Sequence, residues 1–200
     1  MDNATRSERS RGAVIEAALT IIARDGPGRL TLDAIARESG ISKGGVMHQF
    51  PTKKAVLSAL LDLQVEHYEA VGARYLAEHR DVPQPHLKAQ IATIRAAVTD
   101  TRPLGLAILG AVSQDPSLLD AARASAASVL EAIKAEAPDP QLATLRWLAA
   151  RGLVFSGLLG LCPFSPEERE TLLDRLGDDR HWPDAAVSPD PVDPGGSDSG

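Results

Sequence analysis

Residues 31 to 50 read Thr-Leu-Asp-Ala-Ile-Ala-Arg-Glu-Ser-Gly-Ile-Ser-Lys-Gly-Gly-Val-Met-His-Gln-Phe, a run that confines the chain to two short helices around a tight turn. Thr31 stands before the apolar-periodic residues Leu32, Ile35 and Ala36, where its hydroxyl can accept from the free N–H groups of a first helical turn. Gly40 ends that helix, because glycine takes the left-handed conformation that a branched residue resists. Ile41 is placed to plug the space between the helices, Ser42 to cap the second, and Lys43 to begin it. Val46 and Phe50, four apart, face inward. The outward set is Lys43, Gly44, Gly45, Met47, His48 and Gln49: a cation, two residues without bulk, an apolar probe and two hydrogen-bonding side chains. This is a helix-turn-helix pattern, in which one helix offers its N-terminal half to the DNA major groove while the other braces it. The same residues also suit a capped helix pair in an all-helical protein that never meets DNA.

The flanks narrow that choice. Val14, Ala17, Ala18, Ile21 and Ile22 form the stripe of a preceding amphipathic helix, closed by Asp25-Gly26-Pro27-Gly28. After Pro51, Thr52 caps a long helix from Lys53 to about His79, with an inner stripe of Leu57, Leu60, Leu61, Gln64, Tyr68, Val71 and Tyr75. The ordered set of Ile15-x-Ala17-Ala18, Ile22-x-x-x-Gly26, Thr31-x-x-x-Ile35-Ala36, Gly40-Ile41-Ser42-Lys43-Gly44 and Phe50-x-x-Lys53-x-x-Val56-Leu57 resembles the TetR family of bacterial transcriptional regulators over about Arg11 to Leu61. The resemblance implies that Thr31, Ser42, Lys43, Gly44, Gly45, Met47, His48, Gln49 and Lys53 bind DNA, with Lys53 on a phosphate. Two positions depart from the family: it usually has Thr or a similar residue at Gly45 and a phosphate-contacting Tyr at Met47.

A net charge of −6 argues at first against a nucleic-acid partner, since phosphate affinity comes largely from Lys and Arg. The distribution answers this. Residues 1 to 54 hold nine Lys and Arg against six Asp and Glu, whereas residues 55 to 200 hold 12 against 21. A basic head on an acidic body suits a molecule of which one end approaches DNA.

A single cysteine, Cys162, allows no intramolecular disulfide and no zinc finger, and reads as a buried inert thiol rather than a redox sensor. His67, His79, His86 and His181 have no metal-ligand spacing, so no metal or cofactor is expected. No nucleophile motif such as Gly-x-Ser-x-Gly occurs. The polar N-terminus and the uncharged run from Gly152 to Pro166, shorter than the roughly 18 residues that span a bilayer, lead to the expectation of a soluble, cytoplasmic protein with no membrane partner.

Proline and acidic caps divide the remainder into helices near 85 to 100, 103 to 114, 116 to 136, 140 to 162 and 166 to 177. Strand alternation is absent, so the expected class is all-α. Three parts are expected: a three-helix DNA-binding domain over 1–54, a helical ligand-binding and dimerisation bundle over 55–181, and a disordered acidic tail over 182–200. Gly152, Ser156 and Gly160 recur every fourth residue, and Leu172, Leu173 and Leu176 add apolar surface. Family resemblance makes this helix pair a homodimer interface; ordinary intrachain packing is the alternative. Family members usually sense a small molecule among the middle helices. Leu104, Leu106, Ile108, Leu109, Trp147, Arg151 and Phe155 could line such a site, which would suit an apolar ligand with an anionic or acceptor group. Arg151 could equally pair with a carboxylate at the dimer surface. The expected function is a ligand-responsive regulator, most often a repressor in this family, that binds a double-stranded operator. The rival is an all-helical binding protein or enzyme whose helix-turn-helix is only structural.

Overall fold

Local caps account for most of the helix boundaries. The computed structural model describes residues 3–99, 112 and 115–182. Its α-helices are α1 (Asn3–Asp25), α2 (Leu32–Ser39), α3 (Lys43–Gln49), α4 (Lys53–Glu78), α5 (Pro85–Thr99), α6 (Asp120–Glu136), α7 (Pro140–Leu158) and α8 (Pro166–Gly177). No strand occurs among the described residues, and none of the described helices is long and apolar enough to cross a membrane. The expected helix at 103–114, residue 112 apart, and the tail beyond Trp182 lie outside the described residues.

Each cap read from the sequence is formed. The Thr31 hydroxyl accepts from the Ala34 N–H at 3.0 Å, Thr52 from Ala55 at 3.1 Å, and Asp139 from Gln141 and Leu142 at 2.9 Å. At α8 the Ser165 N–H donates to Glu168 Oε2 at 2.7 Å while the Glu168 N–H donates to Ser165 Oγ at 3.2 Å, a reciprocal capping box. Asp115-Pro116 opens a 3-10 turn over Pro116–Leu119, and the α-helix begins only at Asp120, later than the expected start at 116.

Two apolar cores result. The first joins Val14, Ala18 and Ile21 of α1, Ile35 of α2, Val46 of α3 and Phe50 to Val56, Leu57 and Leu60 from the first turns of α4. The second joins Leu87, Ile91 and Ile94 of α5 and Ile133 of α6 to Trp147 and Leu153 of α7 and Leu173 and Leu176 of α8. A fully buried Leu or Ile contributes roughly 1.5–3 kcal/mol, so each core anchors its own end of the molecule. Helix α4 serves both ends, entering the first core and then packing along α5. Its 26 residues span about 39 Å, so a shift at one end is carried to the other. A second tie runs from Lys54 Nζ to Asp115 Oδ2 at 2.5 Å. That hydrogen bond, helped by Ser117, pulls the Asp115 carboxyl down to about 2.

The expected dimer stripe is corrected in two respects. Gly160 is not on a helix face: α7 ends at Leu158, and Gly160 follows at φ 68°, with Leu161 N–H donating to the Ser156 carbonyl at 2.8 Å. It is the left-handed residue that terminates the helix. Leu173 and Leu176, expected at the interface, are buried in the second core, and Leu172 packs against it. The apolar face that α7 does leave open is Leu145, Leu148, Gly152, Phe155 and Leu159, spaced three, four, three and four residues apart. Trp182 is also corrected. Instead of opening a disordered tail it packs on the second core, its indole N–H donating to the Arg175 carbonyl at 2.8 Å.

Candidate nucleic-acid interface

The reading head is built from short-range geometry. Gly40, at φ 69°, turns the chain between α2 and α3, and the Ser42 hydroxyl accepts from the Gly45 N–H at 3.2 Å to start α3. Val46 is fully buried and Phe50 nearly so, which fixes the rotation of α3 about its axis. Lys43, Gly44, Met47 and His48 are consequently exposed, with Met47 45% accessible.

The outward set read from the sequence divides further. Gly44 has open space where a side chain would stand, whereas a Cβ at Gly45 would lie 2.8 Å from Ile41 Cγ2 and 3.3 Å from Ser42 Oγ. Gly45 is therefore needed for packing of the turn, not presented outward. The Gln49 amide donates to Ser7 Oγ of α1 at 3.1 Å and is half-buried. Lys43 Nζ lies 2.9 Å from Asp33 Oδ1 in an exposed pair; such pairs are worth about 0–1 kcal/mol, so Lys43 is released at little cost. Lys53 Nζ donates to the Pro27 carbonyl at 3.3 Å and stays at the surface.

The two glycines predict opposite outcomes. Gly44→Ala should keep the fold and gain up to about 1 kcal/mol of helix stability, while weakening DNA binding by adding bulk to the reading face. Gly45→Thr should force Ile41 and the Ser42 cap to move and lower the melting temperature. Thermal unfolding beside a DNA titration checks both, and a Gly45→Thr variant as stable as the parent would contradict the packing role.

In the body, a cavity of about 250 Å³ opens among α4, α5, α6 and α7, lined in part by Val65, Tyr68, Thr93, Ile94, Val129, Val154 and Phe155. Its cation is Arg151, whose guanidinium lies 4.6 Å from the centre of the Trp147 ring and 5.8 Å from that of Phe155. Burial pushes this guanidinium below its ordinary range, and no carboxylate pairs with it among the described residues. Glu69, at the exposed rim, accepts from Ser125 Oγ at 2.6 Å. Of the expected lining residues, Arg151 and Phe155 meet here. Trp147 does not: it sits in the second core behind Arg151, its indole N–H buried and without a hydrogen-bond partner among the described residues. Leu104, Leu106, Ile108 and Leu109 lie outside the described residues. Cys162, read as buried, is half-buried between α7 and α8. The described residues contain no group of three or more His, Cys, Asp or Glu able to hold a metal ion.

Sequence reasoning missed Arg146. It is 2% exposed, and donates to the Leu176 carbonyl at 2.9 and 2.7 Å and to Asp179 Oδ1 at 3.0 Å. Arg146 is one of only two charged residues on the mainly apolar α7, beside Arg151, and that was the available signal.

Residues 14–60 match the family model described as bacterial regulatory proteins, tetR family, and residues 84–178 match the tetracyclin repressor-like C-terminal domain. The HTH-type transcriptional regulator SrpR of Pseudomonas putida is 40% identical over 58 residues, which are 29% of this chain and 27% of that one. The chain thus spans about a quarter of the length of that curated relative. Among solved structures, the multidrug binding protein EbrR complexed with malachite green aligns with a TM-score of 0.63 at 22% identity, over 83% of this chain and 96% of that one. NalD, the secondary repressor of the MexAB-OprM multidrug efflux pump in Pseudomonas aeruginosa, aligns with a TM-score of 0.57 at 18% identity, over 89% of this chain and all of that one. At those identities the two structures show a shared fold. With one family model on the reading head and the other on the helical body, the chain belongs to the TetR family of transcriptional regulators.

Proposed function

We propose that this protein is a ligand-responsive repressor that binds a two-fold symmetric operator as a homodimer. The observation that carries the reading is the capped α2–turn–α3 unit with Lys43, Gly44, Met47 and His48 outward on the basic end of the molecule. In this reading residues 1–54 bind DNA and 55–181 bind ligand and dimerise. Lys43 is the base reader, since a lysine at a helix start reaches guanine acceptors. Met47 meets a thymine methyl or sugar where the family's tyrosine would meet phosphate. Thr31, Ser42 and Lys53 hold the backbone, while Gly45 and Gln49 act by shaping the head. The exposed face of α7 meets its counterpart in a second copy.

The effector is taken to be an apolar anion seated against Arg151. A half-buried guanidinium stacked on two aromatic rings and without a carboxylate partner among the described residues favours a carboxylate over a cation. A cavity of about 250 Å³ falls just below the range usual for drug-sized ligands, about 300–1,000 Å³, which favours a small occupant. Occupation of the cavity would press on α4 and α5 together, and α4 would carry the displacement to the reading head.

The test is to select genomic fragments bound by the full chain and then release them with a panel of aliphatic and aromatic carboxylates. A hit should also raise the melting temperature. Arg151→Gln should keep DNA binding and weaken the carboxylate about ten- to a hundredfold, the loss of one charge-assisted hydrogen bond. Release by the same compound at the same concentration from the Arg151→Gln variant would contradict the ligand assignment.

A further inference from the structure

The first three turns of α1 have no place in the apolar core. Helix α1 begins at Asn3, but its first fully buried side chain is Val14, and residues 4–9, 11 and 12 are exposed. This segment precedes residues 14–60, to which the family likeness extends. It nevertheless lies against the end of the reading helix. Gln49, the last residue of α3, donates to Ser7 Oγ at 3.1 Å, and one helical turn further along Arg11 stacks its guanidinium 4.5 Å above the centre of the Phe50 ring. Arg6 stands next to the Ser7 latch, exposed and beyond the reach of the core.

We propose that residues 3–11 form a helical arm, docked on the C-terminal end of the reading helix, through which Arg6 and Arg11 contact the DNA phosphate backbone outside the segment read by α3. The inference rests on α3 being the DNA-reading helix. Three features support it: an exposed helix does not persist for its own packing energy, this one is fastened at two points to α3 and Phe50, and it carries Arg6, Arg9 and Arg11 against Glu8 alone. Arginine offers a fork of donors suited to phosphate oxygens. Gln49, read from sequence as a DNA contact, becomes a positioning residue that holds the arm through Ser7.

Phosphate contacts act on every sequence alike, so the probe is a random-sequence duplex titrated with the full chain at several salt concentrations. Each phosphate contact steepens the fall of log K with log salt by about 0.9, and a dimer carries two arms. Arg6→Ala should therefore lower the slope by about 1.8, so that between 50 and 200 mM salt the parent loses about twelvefold more affinity than the variant. Arg6→Lys, which keeps the charge, should keep the slope. Arg6 is exposed, so neither variant should change the melting temperature. An Arg6→Ala slope equal to the parent's overturns the arm, as does weaker binding with an unchanged slope, which would reflect a disturbed head. If the parent itself shows no salt-dependent binding, the reading of α3 fails and the arm fails with it.

Discussion

Replacing Leu145 and Leu148 together by Glu should yield a monomer that keeps the helical content and melting behaviour of an isolated chain but has lost operator binding. These side chains are 62% and 50% exposed, on a face that continues through Phe155 at 50% and Leu159 at 51%. The largest apolar patches of monomeric proteins mark interaction sites, and this one runs along nearly the whole of α7. Across a two-fold axis each mutated position occurs twice, so four carboxylates would be driven into an apolar contact, costing several kcal/mol for each one left unpaired. Dimerisation should weaken by at least about a thousandfold on that scale. Because these residues contribute little to the intrachain core, folding should survive. Gly152→Leu offers a control of a different kind: among the described residues nothing lies within 4 Å of a Cβ at that position, so loss of the dimer in this variant would point to what faces Gly152 across the interface. Sedimentation of the double variant as a dimer would exclude this face.

Arg146→Ala should be the most destabilising single substitution in the body that leaves the apolar core intact. The guanidinium is 2% exposed and ends three separate structures: the Leu176 carbonyl near the end of α8, the Asp179 carboxylate in the turn that follows, and the Gln84 amide ahead of α5, at 3.4 Å. Trp182 lies over it at 5.6 Å. Asp179 would keep Lys88 Nζ at 2.6 Å, but the buried carbonyl would have no replacement donor among the described residues. Breaking a buried pair by removing one partner costs about 3–5 kcal/mol. For a chain of this size that is a fall of roughly 6–20 °C in melting temperature. Circular dichroism on heating would record it, and a fall under about 2 °C would show that water replaces the guanidinium.

The parts legible in the sequence are those fixed by residues within about four positions of one another. Thr31, Ser42, Thr52, Asp139 and Ser165 each satisfy N–H groups two or three residues ahead, and Gly40 needs only its own φ. The rotation of α3 was equally legible, because Val46 and Phe50 are the only large inward candidates on so short a helix. What could not be read was the division of apolar residues between core and open face. Helix α7 is apolar on several sides, so its periodicity does not say that Leu153 faces α5 while Leu148 and Phe155 face outward. Spacing alone also cannot separate a glycine stripe from a glycine that ends a helix, as at Gly160. Gly45 illustrates a third limit. Its need for a bare Cα comes from Ile41 across the turn, a contact made only once the turn has closed.

The central claim, that this head binds DNA through phosphates and reads sequence through α3, is tested most directly by affinity against salt for two duplexes: the DNA immediately upstream of the protein's own coding region, and a shuffled duplex of equal length. A dimer engaging about six to ten phosphates should lose about 10³–10⁵ in affinity between 50 and 200 mM salt on both, hold the upstream duplex more tightly throughout, and lose that preference in Lys43→Ala. Affinity that does not change with salt and does not distinguish the two duplexes would contradict the account, leaving the helix-turn-helix as a structural unit alone.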